Sequence, residues 1–359
     1  MNEEELDRGE QGSMNNNLKD LDIQQLELVM ESLTEPKYRA KQIFMWLSKG
    51  ASSFEEMANL PKELRLKLAK AGYSTGTADI LKIQESKTDG TRKYLFRLMD
   101  GNTIESVFMK YKYGNSLCVS SQVGCRMGCR FCASTIGGLV RSLSPGEMLD
   151  QILRVERETG EKINHIVIMG IGEPFDNYEN IAAFIRLAHH KDGLNIGMRN
   201  ITVSTVGLVD GIKRFAEEFP QVNLAISLHA PNDETRNRIM PMNKRYNVGD
   251  IIAASKEYTE KTGRRITFEY ALIAGVNDSM AMAKELAELL RGMLCHVNLI
   301  PLNKVDETGL EAAAKATAVK FKEILESKGI PATIRRELGS DIDAACGQLR
   351  LAGDGSCSV

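Results

Sequence analysis

The sequence predicts an α/β protein: a partial (βα)6 barrel of TIM-like design, with an N-terminal helical domain and a small antiparallel sheet. Three observations predict it. After Tyr113 short apolar strands alternate with amphipathic helical stretches, the pattern of a parallel sheet with covered faces. Residues 78–112 instead alternate with period two around Asp89-Gly90 and Asp100-Gly101, which read as hairpin turns. Polar motifs follow several different strands, which favours a barrel mouth over an open doubly wound sheet.

Composition bounds the function classes. The chain has 359 residues, 43% hydrophobic and 26% charged, as an ordinary globular protein does. A net charge of -2 neither requires nor excludes nucleic acid, because binding needs only a local basic patch. Seven cysteines in this length are not a secreted disulfide framework. No apolar run approaches the roughly 20 residues of a membrane span, and the N-terminus is acidic, unlike a signal peptide. A cytoplasmic protein with no membrane contact is expected, and a monomer, since nothing resembles a dimerisation helix.

Residues 1–17 show no apolar periodicity and read as a disordered tail or tag, with Gly12-Ser13 before Met14 resembling a cloning remnant. Residues 18–76 read as a helical domain. Ile23, Leu26, Val29 and Met30 share one face, and Ala40, Ile43, Phe44 and Leu47 another; Pro36 helps to start the second helix, Ser53 with Glu56 fits a capping box, and Pro61 opens a third. Its basic residues Lys37, Arg39 and Lys41 suit either a solvated face or an RNA contact. Residues 77–113 form the small sheet, 114–349 the barrel, and 350–359 a disordered tail. Barrel strands are expected at Leu117–Ser120, His165–Met169, Asn200–Ser204, Asn223–Ser227, Thr267–Leu272, His296–Ile300 and Ala332–Arg335. Helices are expected at Pro145–Glu158, Tyr178–Ala188, Val209–Phe215, Val248–Thr262, Met280–Leu290 and Leu310–Lys328.

The densest chemistry lies after the first barrel strand, where Cys125, Cys129 and Cys132 form C-x3-C-x2-C. Thiolates bind soft metals, and zinc remains an alternative. Structural zinc wants four protein ligands, however, and no fourth cysteine or histidine is near in sequence. Three thiolates can hold a four-iron, four-sulfur cluster and leave one iron open. Met169-Gly170-Ile171-Gly172-Glu173-Pro174 follows a strand, and its glycines would let backbone approach a ligand closely. As residue types alone, that segment also suits a Gly-Pro turn with a surface Glu. Ser204, Ser227, Leu228, His229 and Asn303 end or follow later strands, where a Ser or His as often fixes a loop as binds a ligand.

The cysteine spacing, with Phe131 before the last cysteine, resembles the radical S-adenosylmethionine superfamily. SLCVSSQVGCRMGCRFCAST, GGLVRSLSPGE, MGIGEP, VSTVG, SLHAPND, VNLIPLN and GSDIDAACGQL together resemble the RlmN family of RNA adenine-C2 methyltransferases, from about Leu18 to Leu349. The related Cfr family methylates carbon 8 of the same adenine and is the alternative; Ala-Ser-Thr-Ile-Gly-Gly-Leu after Cys132 is closer to the C2 enzymes. A non-catalytic iron–sulfur RNA-binding protein is a further alternative, and would not need Cys118, Cys346 or the Gly-Glu-Pro segment.

The resemblance implies a [4Fe-4S] cluster on Cys125, Cys129 and Cys132, and two S-adenosylmethionine molecules per turnover. Its pocket would be lined by Gly172, Glu173, Ser204, Ser227, Leu228, His229 and Asn303. Cys346 matches the family's methyl-carrying cysteine, Cys118 the cysteine that resolves the adduct through a transient disulfide, and Glu105 a carboxylate proposed as proton acceptor or positioning group. The implied partners are 23S ribosomal RNA near the peptidyl transferase centre, adenosine 37 of some transfer RNAs, and an external electron donor such as flavodoxin or ferredoxin. Arg126, Arg130, Arg141, Arg264-Arg265, Arg335-Arg336, Lys110 and Lys112 are candidate phosphate contacts, though each also suits a solvated surface.

Overall fold

The computed structural model describes residues 16–350. Cys357 and most of both expected tails lie outside them. Asn16 and Asn17, assigned above to the tail, are structured: the Asn17 side chain accepts from Lys19 N, and its backbone bridges to Ser74.

The first region holds α1 (Ile23–Ser32), α2 (Tyr38–Leu47) and α3 (Lys62–Lys70). Asp22 and Gln25 close a capping box on α1, each side chain accepting from the other's backbone N–H. The box expected at Ser53 does not form. Phe54–Glu56 is a single 3-10 turn without a side-chain cap, and it is Ser52 whose hydroxyl donates to Glu56. The Leu26, Met30, Ala40, Ile43, Phe44 and Leu47 side chains join one apolar core continuous with the rest of the protein.

Next come β1 (Asp79–Glu85), β2 (Arg92–Arg97), β3 (Thr103–Tyr111) and β4 (Gly114–Cys118). A short hairpin follows, β5 (Gln122–Gly124) with β6 (Leu139–Ser142). The chain then alternates: α4 (Pro145–Thr159), β7 (His165–Ile168), α5 (Tyr178–His189), β8 (Ile201–Thr205), α6 (Val209–Glu218), β9 (Asn223–Ser227). It continues with α7 (Asp233–Ile239), α8 (Val248–Thr262), β10 (Ile266–Leu272), α9 (Met280–Leu289), β11 (Cys295–Pro301), α10 (Lys315–Ser327) and β12 (Ala332–Ile334). Strands β4, β7, β8, β9, β10, β11 and β12 pair in parallel in that order, giving six strand–helix units and a closing strand.

Three details differ from expectation. The antiparallel strands β1–β3 are not a free-standing sheet; β3 pairs with β4, so ten strands form one sheet with an antiparallel edge. Helix α7 and the β5–β6 hairpin went unforeseen, because both are short and polar. Helix α10 begins at Lys315 rather than Leu310, since Ala312 bridges to Ile273 and holds that stretch extended. Among the described residues no helix is long and apolar enough to cross a membrane.

One buried ion pair fastens the helical region to the barrel. Lys19 Nζ meets Asp150 on α4, both side chains essentially inaccessible to solvent. The second Asp150 oxygen accepts from Ala78 N at 2.6 Å, and Asp20 accepts from Gly146 N at 2.7 Å. Burial pushes the Asp150 carboxyl up, and Lys19 opposes that shift. Removing one partner of a buried pair leaves an uncompensated charge. Lys19→Met is therefore expected to lower stability by about 3–5 kcal/mol in urea titrations; a loss below about 1 kcal/mol, the scale of an exposed pair, would contradict this account.

Candidate functional site

The β5–β6 hairpin frames the cysteine loop. Cys125 N donates to Gly138 O at 2.8 Å, closing the loop where β5 ends. Gly124 sits there at φ +76, and a Cβ would lie 1.9 Å from Gly138 O, so only glycine fits. Thr135 Oγ1 donates to Cys132 O at 2.9 Å, and Arg130 N donates to Ile239 O at the end of α7. Cys125 and Cys129 are buried and Cys132 is partly exposed. All three line one cleft of about 940 Å³.

Burial pushes the Cys125 thiol up to about 12 and raises Cys129 and Cys132 as well, with the neighbouring sulfurs adding to the shift at Cys129. A bound metal centre inverts this, because its positive charge deprotonates coordinating thiols. Among the described residues no three His, Cys, Asp or Glu side chains converge tightly enough to hold a single metal ion. Three soft donors spread around one end of a cleft suit an iron–sulfur cluster better than one zinc ion.

Strand ends line the same cleft. Gly172, Glu173, Ser204, Ser227, His229 and Asn303 all line it. Gly172 has φ +115, and a Cβ there would lie 2.6 Å from Ser121 Oγ and 2.7 Å from Gln122 Cβ. The Glu173 carboxylate accepts from Phe175 N at 3.1 Å and Val206 N at 2.9 Å, tying the β7 loop to the end of β8. Burial pushes it up to about 7 against those hydrogen bonds. Ser204 and Ser227 hydroxyls stand 3.5 Å apart. His229 adopts φ +56 while its N–H and that of Leu228 both donate to Glu269 O. Its Nδ1 accepts from Ala271 N at 2.9 Å, so the imidazole's remaining N–H is Nε2, and its ring meets Phe131 edge-on at 4.8 Å. Leu228 does not reach the cleft; its side chain is fully buried in the core.

A second cleft, about 540 Å³, opens beside the first and is lined by Cys118 and Cys346. Cys346, Arg335, Asn303, Met169 and Ile300 line both. The chain carrying Cys346 is fastened to the cysteine loop: Ala133 N donates to Gly347 O at 2.7 Å, and Ser134 Oγ to Leu349 O at 2.7 Å. Asn303 Nδ2 donates to Cys346 O at 2.9 Å, so this side chain positions a cysteine as well as lining the cofactor cleft. Cys118 and Cys346 are free thiols here, with no disulfide between them. Burial, then the nearby Cys346, pushes the Cys118 thiol up to about 12, while Arg335 pulls it down.

Glu105 lines neither cleft. It is buried in a 3.1 Å ion pair with Lys93, and its other oxygen accepts from Arg350 N at 3.0 Å. Several participants went unassigned at the sequence level. Arg236 on α7 is fully buried and donates to Leu228 O, Ser227 O and Val206 O, locking the loops after β8 and β9 together. Glu269 is buried, accepts from Asn298 Nδ2 and faces Arg335; a carboxylate inside the apolar run ITFEYAL was the available signal. Of the candidate phosphate contacts, Arg126 is tied to Asp176, Arg141 to Glu147 and Asp100, Lys110 to Glu161, and Arg264 donates to Asn223.

Comparison with known proteins fits this geometry. Residues 119–290 match the model of the radical SAM superfamily, and residues 16–73 that of the ribosomal RNA large subunit methyltransferase N-terminal domain. The chain is 54% identical over 334 residues to the probable dual-specificity RNA methyltransferase RlmN of Lachnoclostridium phytofermentans, covering 93% of this chain and 94% of that one. It is 53% identical to the protein of the same description from Clostridium tetani, covering 93% and 95%. The crystal structure of a radical SAM methyltransferase from Sphaerobacter thermophilus superposes with a TM-score of 0.89 at 48% identity, covering 93% of this chain and 98% of that one.

Two expectations follow from the geometry. Gly172→Ala should weaken S-adenosylmethionine binding at least about tenfold by calorimetry, because the backbone must shift where it lines the cleft; unchanged affinity would contradict the close approach. Burial and Arg236 lower His229 from 6.5 to about 3, so the unfolded chain takes up this proton first as pH falls. Stability supplied by the neutral ring is full above about 6.5 and is lost toward about pH 3, with a slope of up to about 1.4 kcal/mol per unit. His229→Asn, a residue that tolerates φ > 0, should lack that share of the acid slope in urea titrations at stepped pH.

Proposed function

The chain belongs to the RlmN family of radical S-adenosylmethionine RNA methyltransferases, and on that premise we propose that it methylates carbon 2 of adenosine in 23S ribosomal RNA and at position 37 of some transfer RNAs. The observation that supports this reading most is the pair of free thiols, Cys118 and Cys346, in one cleft that meets the cofactor cleft at Cys346. An enzyme that only generated a radical would need the three loop cysteines. A second pair beside them suits a route with a covalent carrier.

Cys125, Cys129 and Cys132 would hold the cluster, and Gly172, Glu173, Ser204, Ser227 and His229 would bind S-adenosylmethionine. When bound, the cluster supplies the electron that cleaves the sulfonium and generates a hydrogen-abstracting radical. Glu173 is suited to the cofactor's ammonium group, because a cation returns its buried carboxyl to the charged form. His229 stays neutral and offers Nε2–H as a donor.

Cys346 is the methyl carrier. Its sulfur takes a methyl group from one S-adenosylmethionine and releases its own proton; a second molecule is consumed when hydrogen is removed from that S-methyl group, hence two per turnover. The resulting carbon centre bonds to C2 of adenine, leaving RNA joined to Cys346. The adduct's unpaired electron would pass back to the cluster, which sulfonium cleavage leaves one electron short, and the C2 proton leaves to solvent; the Cys118 thiolate then attacks the Cys346 sulfur, the sulfur–carbon bond breaks, and its electrons pass to the base, which takes up a proton as its new methyl group. The products are 2-methyladenosine and a Cys118–Cys346 disulfide, which an external donor of the flavodoxin or ferredoxin class, or a thiol, would reduce. Arg335, near both sulfurs, pulls the Cys118 thiol toward its ionised form against burial. Glu105 is held by Lys93 and the Arg350 amide, so in this reading it positions the chain beyond Cys346.

The test is anaerobic reconstitution with S-adenosylmethionine, a reductant and unmodified ribosomal or transfer RNA, followed by nucleoside mass spectrometry. 2-Methyladenosine is expected; 8-methyladenosine, or neither product from a competent cluster, would contradict the reading. Cys346→Ala should keep the iron–sulfur absorbance and lose methylation entirely. Cys118→Ala should accumulate protein covalently joined to RNA, visible as a slower band in a denaturing gel, and free turnover by that variant would refute its role.

A further inference from the structure

A tyrosine that lines the Cys118–Cys346 cleft stacks on a second, exposed one, and neither takes part in the chemistry above. The Tyr111 and Tyr113 rings lie 4.9 Å apart with planes 8° from parallel, and His165 meets Tyr113 edge-on at 5.1 Å. Tyr111 lines the cleft beside both thiols. Tyr113 is 67% exposed at the tip of the two-residue hairpin joining β3 to β4, where Tyr111 pairs with Gly114. Such tips favour Asn, Asp and Gly. A Lys-Tyr tip departs from that chemistry, and local departures of this kind concentrate where function fixes the residue.

The tip is also held in place. Gly114 has φ +129, and a Cβ there would lie 2.7 Å from Asn164 Oδ1, which accepts from Asn115 N at 3.0 Å. The surrounding charge is positive. Lys110 is tied to Glu161 and Arg335 faces the buried Glu269, but Lys112 and Arg336 have no ion pair among the described residues, and Arg336 lines this same cleft with one acidic residue, Glu337. Rigid rings flanked by free cations at a cleft leading to reactive thiols match the way unpaired RNA is held: bases stack on aromatic faces while basic side chains follow the phosphates.

We propose that the Tyr111–Tyr113 stack is a platform for a nucleobase of the substrate RNA next to the target adenine, with Lys112 and Arg336 meeting the flanking phosphates. The inference rests on the RNA reading above. Extruding the target base into the cleft leaves its neighbours without a stacking partner, and the tyrosines supply one. Because the rings are already stacked on each other, little side-chain freedom is lost on binding.

The experiment measures affinity and steady-state methylation of a ribosomal RNA fragment and a transfer RNA by the reconstituted full chain, with Tyr113→Ala and Tyr113→Phe beside the unsubstituted protein. Tyr113→Ala should bind roughly 5- to 100-fold more weakly, the span expected for one stacked base, with the loss in KM rather than kcat. Tyr113→Phe should restore affinity, because the ring face remains. Equal affinity for Tyr113→Ala overturns the platform and leaves the RNA reading intact. Equal weakness of the Phe variant also overturns it, assigning the effect to the hydroxyl. If the unsubstituted protein with an intact cluster neither binds nor methylates either RNA, both readings fall.

Discussion

The site depends on one constraint: two thiols far apart in sequence must share a cleft while one of them also lines the cleft of the three loop cysteines. Backbone hydrogen bonds meet it. Cys118 ends β4 inside the sheet, where its position is set by pairing with Val107 and Val167. Cys346 lies in irregular chain after β12, and its place is set by what that chain bonds to. Gly347 O and Leu349 O accept from Ala133 and Ser134 of the cysteine loop, Cys346 O accepts from Asn303, and Glu105 takes the Arg350 amide. The last segment is thus fastened to the cysteine loop and to the antiparallel edge.

Electrostatics within the clefts follow from burial. Glu173, Glu269 and Cys118 are all pushed toward their neutral forms by desolvation, and His229 is held neutral for the same reason. Arg335 is a cation among them, near Glu269, Tyr111 and both thiols. Such a site gains charge only when its ligands arrive, and each arriving charge is felt strongly in a low-dielectric cleft. The same logic explains why Arg236, whose three donor groups are all used by main-chain and Asn243 oxygens, serves as scaffold while Arg335 faces reactants.

Much of this was legible in the sequence. Strand–helix alternation located the parallel strands to within three residues because each is a short, largely apolar run between turn signals. The cysteine spacing and the glycine segment named residues that the fold brings to one cleft, although as residue types alone they also suited zinc or a plain turn. What stayed hidden is tertiary. Period-two patterning showed that β1–β3 are antiparallel, but nothing local says that β3 joins β4 and makes one sheet. Leu228 lies between two cleft residues, and its side chain points the other way, into the core. Glu105 read as a proton acceptor or positioning group, and its buried pairing with Lys93 of the neighbouring strand was not visible in either strand alone. The roles of Arg335 and Arg236 needed three-dimensional neighbours, because an Arg-Arg pair and a helical Arg look alike on paper.

The account's central claim is that Cys346 carries the methyl group while the loop cysteines hold iron. Its most direct measurement is peptide mass spectrometry after incubating the reconstituted protein with methyl-labelled S-adenosylmethionine and reductant, with no RNA present. One labelled methyl is expected on the Cys346 peptide and none on the peptides bearing Cys118, Cys125, Cys129 or Cys132. Label elsewhere, or an unlabelled Cys346 in protein with an intact cluster, would contradict the account.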